Sequence, residues 1–192
     1  MANIGLSQPY YAKYANSNGT TAYTGLAKLG KAVNVDITTE GKDPQILYAD
    51  NGPAESLAIF GGGTATLELD ELAIGIAKDI LSLTSTTSTN GVIFPADNPA
   101  PYVGLGFIVK KVHENVIKWR LVVLYKCQFK VPDYSIATQG ETVEFQTPSL
   151  EATILRDDCV PAKWQMWEDY DSETAALAAL QTALGGTTVT TT

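Results

Sequence analysis

Few residues in this sequence have the types and spacing that catalysis or ligand binding needs. His113 is the only histidine, and a Ser/His/Asp or Cys/His arrangement would place it in a pocket beside a nucleophile. The run His113-Glu114-Asn115 instead predicts the tip of a hairpin. Asp157 and Asp158 are adjacent carboxylates without the Asp-x-Asp-x-Asp-Gly spacing of a calcium loop. These residues therefore predict a turn and a surface loop.

Two further candidates also have simpler structural explanations. The glycines at 61–63 lie between two predicted strands, so no helix N-terminus is there to hold a phosphate. They predict a hairpin turn. Glu68, Asp70 and Glu71 could supply the paired carboxylates of a glycosidase, but Asp70 is a good helix N-cap and Glu71 suits a first helical turn. We therefore expect no catalytic site, no metal site and no cofactor.

Aromatic residues near the C-terminal end leave one binding function open. Trp164, Trp167 and Tyr170 could form the sugar-stacking platform of an extracellular carbohydrate-binding module, although such aromatics more often lie in a core or an interface. Cys127 and Cys159 are the only cysteines, which predicts two reduced side chains and no disulfide framework.

Composition excludes several classes of protein. The chain has 192 residues, of which 45% are hydrophobic and 18% charged, so it is not a disordered chain. Its purest apolar run, at 121–125, is far shorter than the roughly 20 residues of a membrane-spanning helix. The N-terminus lacks the features of a secretory signal, so we expect synthesis in the cytoplasm. A net charge of −8 argues against general nucleic-acid binding.

The charges are segregated along the chain. Residues 1–35 carry three lysines and no acidic residue, whereas residues 36–79 carry nine acidic residues and two lysines. Residues 108–130 have a net charge of +5, and residues 131–192 have a net charge of −8. Oppositely charged segments in one small domain suggest a surface that could meet other copies of the chain.

Short alternating runs rich in β-branched residues predict a mainly β fold. Three regions are expected, namely an N-terminal arm at 1–27, a β-domain at 28–170, and a C-terminal helix with a Thr-rich tail at 171–192. Within the β-domain the pattern predicts a long loop at 39–54, an amphipathic helix at 71–83 capped by Asp70, and a long hairpin at 102–131. Ser172 is the predicted cap of the C-terminal helix.

The second arm of the long hairpin is unusual. From Ile117 to Val131 every odd position is apolar, and the even positions are polar or cationic except for Val122 and Leu124. Fifteen residues at about 3.3 Å each would make a strand of roughly 50 Å, so we expect a bulge or neighbouring strands that continue it. Val122 and Leu124 predict that part of the second face is covered too, with another subunit as one candidate.

Three groups of residues occur in an order shared with a known family. The groups are Ile4-Gly5-Leu6 with Tyr10-Tyr11-Ala12-Lys13-Tyr14; Leu47-Tyr48-Ala49-Asp50-Asn51 with Glu55, Gly61-Gly62-Gly63-Thr64, Leu67 and Asp70-Glu71-Leu72; and Tyr125-Lys126-Cys127-Gln128-Phe129 with Pro132, Gly140-Glu141-Thr142 and Glu144-Phe145-Gln146-Thr147-Pro148. Together they resemble the major tail proteins, or tail tube proteins, of bacteriophages with long non-contractile tails. The match runs from near Met1 to about Leu155.

This resemblance implies a structural protein of the virion and no enzyme. The expected fold is a β-sandwich or barrel of the tail tube type with one flanking helix. Six copies would close a ring, and rings would stack into a hollow tube around the tape measure protein. Tail terminator and distal tail proteins would be further partners, phage DNA would pass through the lumen without specific binding, and no membrane contact is expected.

The resemblance also assigns hypothetical roles to residues. The long loop, with Asp43, Tyr48, Asp50 and Asn51, would contact the neighbouring ring. The long hairpin would belong to a sheet shared between subunits, and its predicted contact residues are Lys118, Arg120, Val122, Leu124 and Lys126. The lysines of 110–130 could pair with acidic residues across that interface. The alternatives are a carbohydrate-binding β-sandwich module and the tube protein of a contractile injection system.

Overall fold

The computed structural model describes residues 2–17, 19–41, 45–49, 52–57, 59–85, 91–133, 138 and 147–185, with 45–49 and 52–57 described by their backbone. The elements in chain order are β1 (Ala2–Ser17), β2 (Thr20–Lys28), β3 (Ala32–Gly41), β4 (Gln45–Ala49), β5 (Gly52–Leu57), β6 (Phe60–Leu69), α1 (Ile74–Leu81), β7 (Thr84–Ser85), β8 (Val92–Ile93), β9 (Tyr102–His113), β10 (Val116–Phe129), β11 (Ser149–Leu155), β12 (Gln165–Tyr170) and α2 (Glu173–Ala183).

One large antiparallel sheet of eight strands dominates the fold. Its strand order is β2-β1-β9-β10-β11-β6-β3, and β12 is a further partner of β10. The side of β10 that faces away from β9 is shared, because β12 pairs with Trp119 to Leu124 and β11 pairs with Lys126 to Phe129. The prediction of a mainly β chain is confirmed.

The long hairpin is formed by β9 and β10, as the sequence predicts. Glu114 and Asn115 connect them with positive φ angles of 48° and 64°, which is the geometry of a type I′ turn. An irregularity in the pairing between Leu124 and Cys127 supplies the expected bulge.

That bulge brings Leu124, an even position before it, and Cys127, an odd position after it, to the same face of the sheet. Before it, Leu121 and Val123 pack in one cluster, whereas Leu124 packs in the main core together with Cys127 beyond the bulge. Val122 and Leu124 are only 5% and 0% exposed in a single chain. The suggestion that another subunit covers them is therefore corrected, because their burial is complete within one copy.

The N-terminal region differs from the expected arm. β1 pairs with both β2 and β9 and belongs to the main sheet, and its Tyr11 and Ala12 are fully buried. The pairing of β1 with β9 is interrupted twice by register shifts, and Gln8 has a positive φ of 55°. These irregularities explain why the sequence of β1 lacks the two-residue period of a regular strand.

The region predicted as a loop and a hairpin is also organised differently. β3 continues to Gly41, and β4 pairs with β5 in a separate two-stranded sheet. β6 begins at Phe60 and runs through the glycines that the sequence assigns to a turn. A Cβ atom at Gly63 would lie 2.7 Å from the carbonyl oxygen of Thr38 in β3. Gly63 therefore permits the close approach of two paired strands.

The two helices are close to their predicted positions. α1 begins after Ala73 without a side-chain cap, so the prediction of an Asp70 cap is wrong. The carboxylate of Asp70 instead accepts hydrogen bonds from the backbone N–H groups of Lys31 and Glu71, at 2.8 and 2.9 Å. α2 has the predicted cap, because the Ser172 hydroxyl accepts a hydrogen bond from the Ala175 N–H.

The buried side chains form two clusters. The main core contains residues of β6, β9, β10 and β11 together with Ala77, Ile80 and Leu81 of α1. The second cluster lies where Ala176, Leu180 and Leu184, in and just after α2, meet β1, β9 and β10. β11 contributes Leu150, Ala152 and Ile154 to the main core.

Candidate assembly surface

The cationic side chains of β10, and Lys130 directly after it, are paired with acidic residues of the same chain. All four acidic partners come from the segment between β11 and α2 or from β11 itself. The pairs are Lys118 with Asp171, Arg120 with Asp169, Lys126 with Asp158, and Lys130 with Glu151. The expectation that these cations pair across a subunit interface is therefore corrected, because β11, β12 and the residues that flank β12 bring the acidic partners to these cations.

Arg120 forms the most complete of these pairs. Its Nε and Nη2 atoms donate to the two carboxylate oxygens of Asp169 at 2.6 and 2.7 Å, which is a bidentate arrangement. This pairing lowers the pKa of Asp169 and raises the pKa of Arg120. The guanidinium also lies 5.1 Å from the centroid of the Trp167 ring. The pair therefore fixes β12 against β10.

Lys126 joins three parts of the chain at the bulge of β10. Its ammonium donates to Asp158 at 2.7 Å and lies over the rings of Tyr14 and Tyr102. Burial disfavours the ammonium, but the hydrogen bond and charge of Asp158 outweigh it, so the pKa of Lys126 is raised. The hydrogen bonds from Lys126 and the Tyr14 hydroxyl lower the pKa of Asp158. Lys126 thus connects β10 with β1, β9 and the loop that contains Asp158, all within one chain.

The structure does not bring the predicted hairpin residues to a free strand edge. β10 is paired with β9 on one side and with β12 and β11 on the other. The residues concerned are Lys118, Arg120, Val122, Leu124 and Lys126. Contacts between sheets of neighbouring subunits would have to use other strands.

The predicted ring-stacking residues lie mostly outside the described residues. Asp43, Asp50 and Asn51 belong to that undescribed part. Tyr48 lies in β4, and its backbone is paired with Pro53 in β5. A hairpin therefore occupies much of the segment predicted as a loop, and the role of these four residues in ring stacking stays a prediction.

Three strands of the main sheet are paired on one side only within the described part of the chain. These strands are β2, whose partner is β1, β3, whose partner is β6, and β12, whose partner is β10. β2 and β3 are the two ends of the strand order and have similar lengths of 9 and 10 residues. Each presents unpaired backbone groups that another chain could pair with.

An apolar groove of about 530 Å³ lies between the C-terminal half of β3 and the start of β12. Phe60 and Trp164 stack in parallel in its wall, with ring centroids 4.4 Å apart. Ile59 and Trp167 also line the groove and are 56% and 60% exposed. Exposed apolar side chains next to an unpaired strand are typical of a contact surface.

The three aromatic residues considered for sugar binding are not on one surface. Trp164 and Trp167 both line the groove, but Tyr170 packs with the second cluster beneath α2. Successive side chains of a strand alternate between its faces, so Trp167 and Tyr170 point in opposite directions from β12. The predicted three-residue platform is therefore not formed.

The residues first considered for chemistry have structural roles. His113 ends β9 beside the turn and lies 3.7 Å from the carboxylate of Glu114. Asp157 is buried, and its carboxylate accepts a hydrogen bond from the Lys163 N–H at 2.6 Å. Burial raises the pKa of the Cys127 thiol. Among the described residues, no group of three His, Cys, Asp or Glu side chains could hold a metal ion.

The described helices are too short or too polar to cross a membrane. A scan of the sequence against models of known protein families finds no match, and a search of curated proteins finds no significant relative.

Sequence reasoning missed two features of this surface. One sequence pattern could have indicated the internal ion pairs, because Asp169 and Asp171 are two residues apart, as are Lys118 and Arg120 on the partner strand. The unpaired edges had no such signal, because the pairing partner of a strand depends on residues that are distant in the sequence.

Proposed function

We propose that this protein is a structural subunit that assembles with copies of itself into rings, and that the rings stack into a bacteriophage tail tube. The observation that carries the proposal is the pair of end strands, β2 and β3, each paired on one side only in the described part of the chain. Unpaired strand edges promote association unless they are protected, and a ring of subunits joined edge to edge would pair the exposed parts of both end strands.

The internal pairing of β10 supports this proposal. Its cations are neutralised by the same chain, so the central part of the sheet is complete in one subunit. The surface left for association then consists of the strand edges and the apolar groove beside β3. The proposal includes six subunits in a ring, a lumen that holds the tape measure protein and later conducts DNA, and tail terminator and distal tail proteins at the tube ends.

Electron microscopy of the concentrated protein tests the proposal. We expect rings or tubes with a central channel, together with a monomer-to-oligomer shift in sedimentation as the concentration rises. A protein that remains monomeric at millimolar concentration would refute self-assembly. The stacking role of the 43–51 segment has a separate test, since its deletion should leave rings but prevent tubes.

A carbohydrate-binding module is the second candidate, and the groove favours it. Trp167 is exposed there beside Glu40 and Gln165, and an exposed indole with polar neighbours suits a sugar ring. A glycan array distinguishes the candidates. Binding that is lost in Trp167→Ala would support the module, whereas assembly without glycan binding supports the tube subunit.

A further inference from the structure

We infer that the edge of β3 in one copy pairs with the edge of β2 in the next copy, in parallel orientation, with Glu40 of β3 next to Lys28 of the following β2. This inference rests on the proposed function and specifies the contact by which a ring would close. It unites different surfaces of two copies, so it is a head-to-tail contact that can be repeated.

The parallel orientation follows from the number of strands. Each neighbouring pair along the order β2-β1-β9-β10-β11-β6-β3 is antiparallel, and the order contains seven strands. The first and last strands therefore run in the same direction along the sheet. Rotation about a ring axis preserves that direction, so β3 and the next β2 must be parallel if the sheet continues from copy to copy.

The charges and lengths of the two strands agree with this orientation. β3 carries Asp36 and Glu40 and no basic residue, whereas β2 carries Lys28 and no acidic residue. Lys28 is the last residue of the 9-residue β2, and Glu40 is the ninth of the 10 residues of β3. A parallel alignment therefore brings the two charges together. An antiparallel alignment would separate them by nearly the length of a strand.

Both charged side chains are available on the same side of the sheet. Ala27 and Ile37 pack against the main core, so the adjacent Lys28 and the alternate residues Asp36 and Glu40 point away from it. Lys28 and Glu40 are exposed, and neither forms an ion pair within the described part of the chain.

The C-terminal halves of the two strands are the favoured region of contact. A Cβ atom at Gly185 would lie 2.5 Å from the carbonyl oxygen of Tyr23, so the end of α2 occupies space beside the first half of β2. The second half of β2, at 25–28, would meet β3 at 37–40. The apolar groove with Ile59 and Trp167 flanks that part of β3.

Charge reversal tests the contact, with assembly measured by light scattering and electron microscopy. Lys28→Glu and Glu40→Lys should each raise the protein concentration needed for assembly at least about tenfold, because like charges would then meet at every junction. An equimolar mixture of the two variants should assemble as the wild type does, since every junction of an alternating ring again joins opposite charges. Lys78→Glu and Glu71→Lys are matched controls for the change of charge.

Disulfide trapping tests the orientation of the two strands. In a Cys159→Ser background, Lys28→Cys with Glu40→Cys should give a ladder of covalent oligomers under mild oxidation. Thr20→Cys with Glu40→Cys should not, because only an antiparallel contact brings those positions together.

The outcomes separate this inference from the proposed function. If the wild type assembles and the single variants assemble equally well, the β2–β3 contact is wrong. The same holds if the mixture of the two variants fails to assemble. Neither outcome contradicts the proposed tube subunit. A ladder from the Thr20/Glu40 variant would overturn the parallel orientation. Absence of wild-type assembly would overturn both proposals.

Discussion

Replacement of Gly104 by alanine should loosen the packing of α2 on the sheet. A Cβ atom at this position in β9 would lie 2.5 Å from Cε1 of Tyr23 and 2.8 Å from Cδ2 of Leu184. Both distances are too short for carbon atoms, so two packed side chains must move. Overpacking of this kind costs about 1–3 kcal/mol, and alanine in a strand recovers about 0.5–1 kcal/mol relative to glycine. We expect a net loss of about 1–2 kcal/mol.

Urea and thermal unfolding measure this effect. For a chain of this length the expected loss lowers the melting temperature by about 2–8 °C. Gly75→Ala in α1 is the matched control, because nothing lies within 4 Å of its Cβ position, and it should stabilise the protein by about 0.5–1 kcal/mol.

A double-mutant cycle identifies the cause. Leu184→Ala alone removes a buried side chain and should cost about 2–5 kcal/mol, but it also opens space for the new methyl group at position 104. The double variant should therefore be more stable than the sum of the two effects predicts, by at least about 0.5 kcal/mol. A Gly104→Ala variant as stable as wild type, or strict additivity, would refute this account of the α2 contact.

Three further effects are expected. Asp169→Asn should lower the free energy of unfolding by about 1 kcal/mol at pH 7. Because Arg120 lowers the pKa of Asp169 in the folded state, the stabilisation is complete above the ordinary pKa of about 4 and disappears as the pH falls through the lowered value. The difference in stability between the variant and wild type, measured by urea unfolding, should therefore vanish in strong acid. Ser172→Ala should cost about 1 kcal/mol by removal of the α2 cap, whereas Ser172→Asp should restore it; equal stability of all three proteins would contradict the cap. The change of Glu114-Asn115 to Asn-Gly should stabilise the β9–β10 hairpin by about 0.5–1 kcal/mol, because both positions have positive φ angles, and a lower melting temperature would contradict the turn type.

Patterns that depend on neighbouring residues could be predicted from the sequence. The alternation of β9 and β10, the turn at Glu114 and the Ser172 cap are set within a few residues, so each follows from side-chain periodicity or from one local hydrogen bond. Predictions failed where a distant strand decides the conformation. The glycines at 61–63 resemble a turn in isolation, but they are strand residues because β3 approaches Gly63 closely.

The candidate assembly surface shows the same division. The sequence contains the cationic block of β10 and the acidic block that follows it, but their mutual neutralisation depends on the pairing of β12 with β10. In the same way, Val122 and Leu124 are an unexplained interruption in the sequence, whereas the structure buries both faces of β10 before the bulge and packs Leu124 in the main core.

The sequence by itself determined that the chain is mainly β, acidic and poor in residues suited to catalysis, because composition and alternation are properties of the local chain. Only the tertiary structure decided which charges are neutralised internally and which strands remain paired on one side. These properties depend on the order of strands in the sheet, and that order is set by contacts between residues far apart in the chain. β2 and β3 are neighbours in the sequence but lie at opposite ends of the strand order, and the contact that we infer between copies depends on that order.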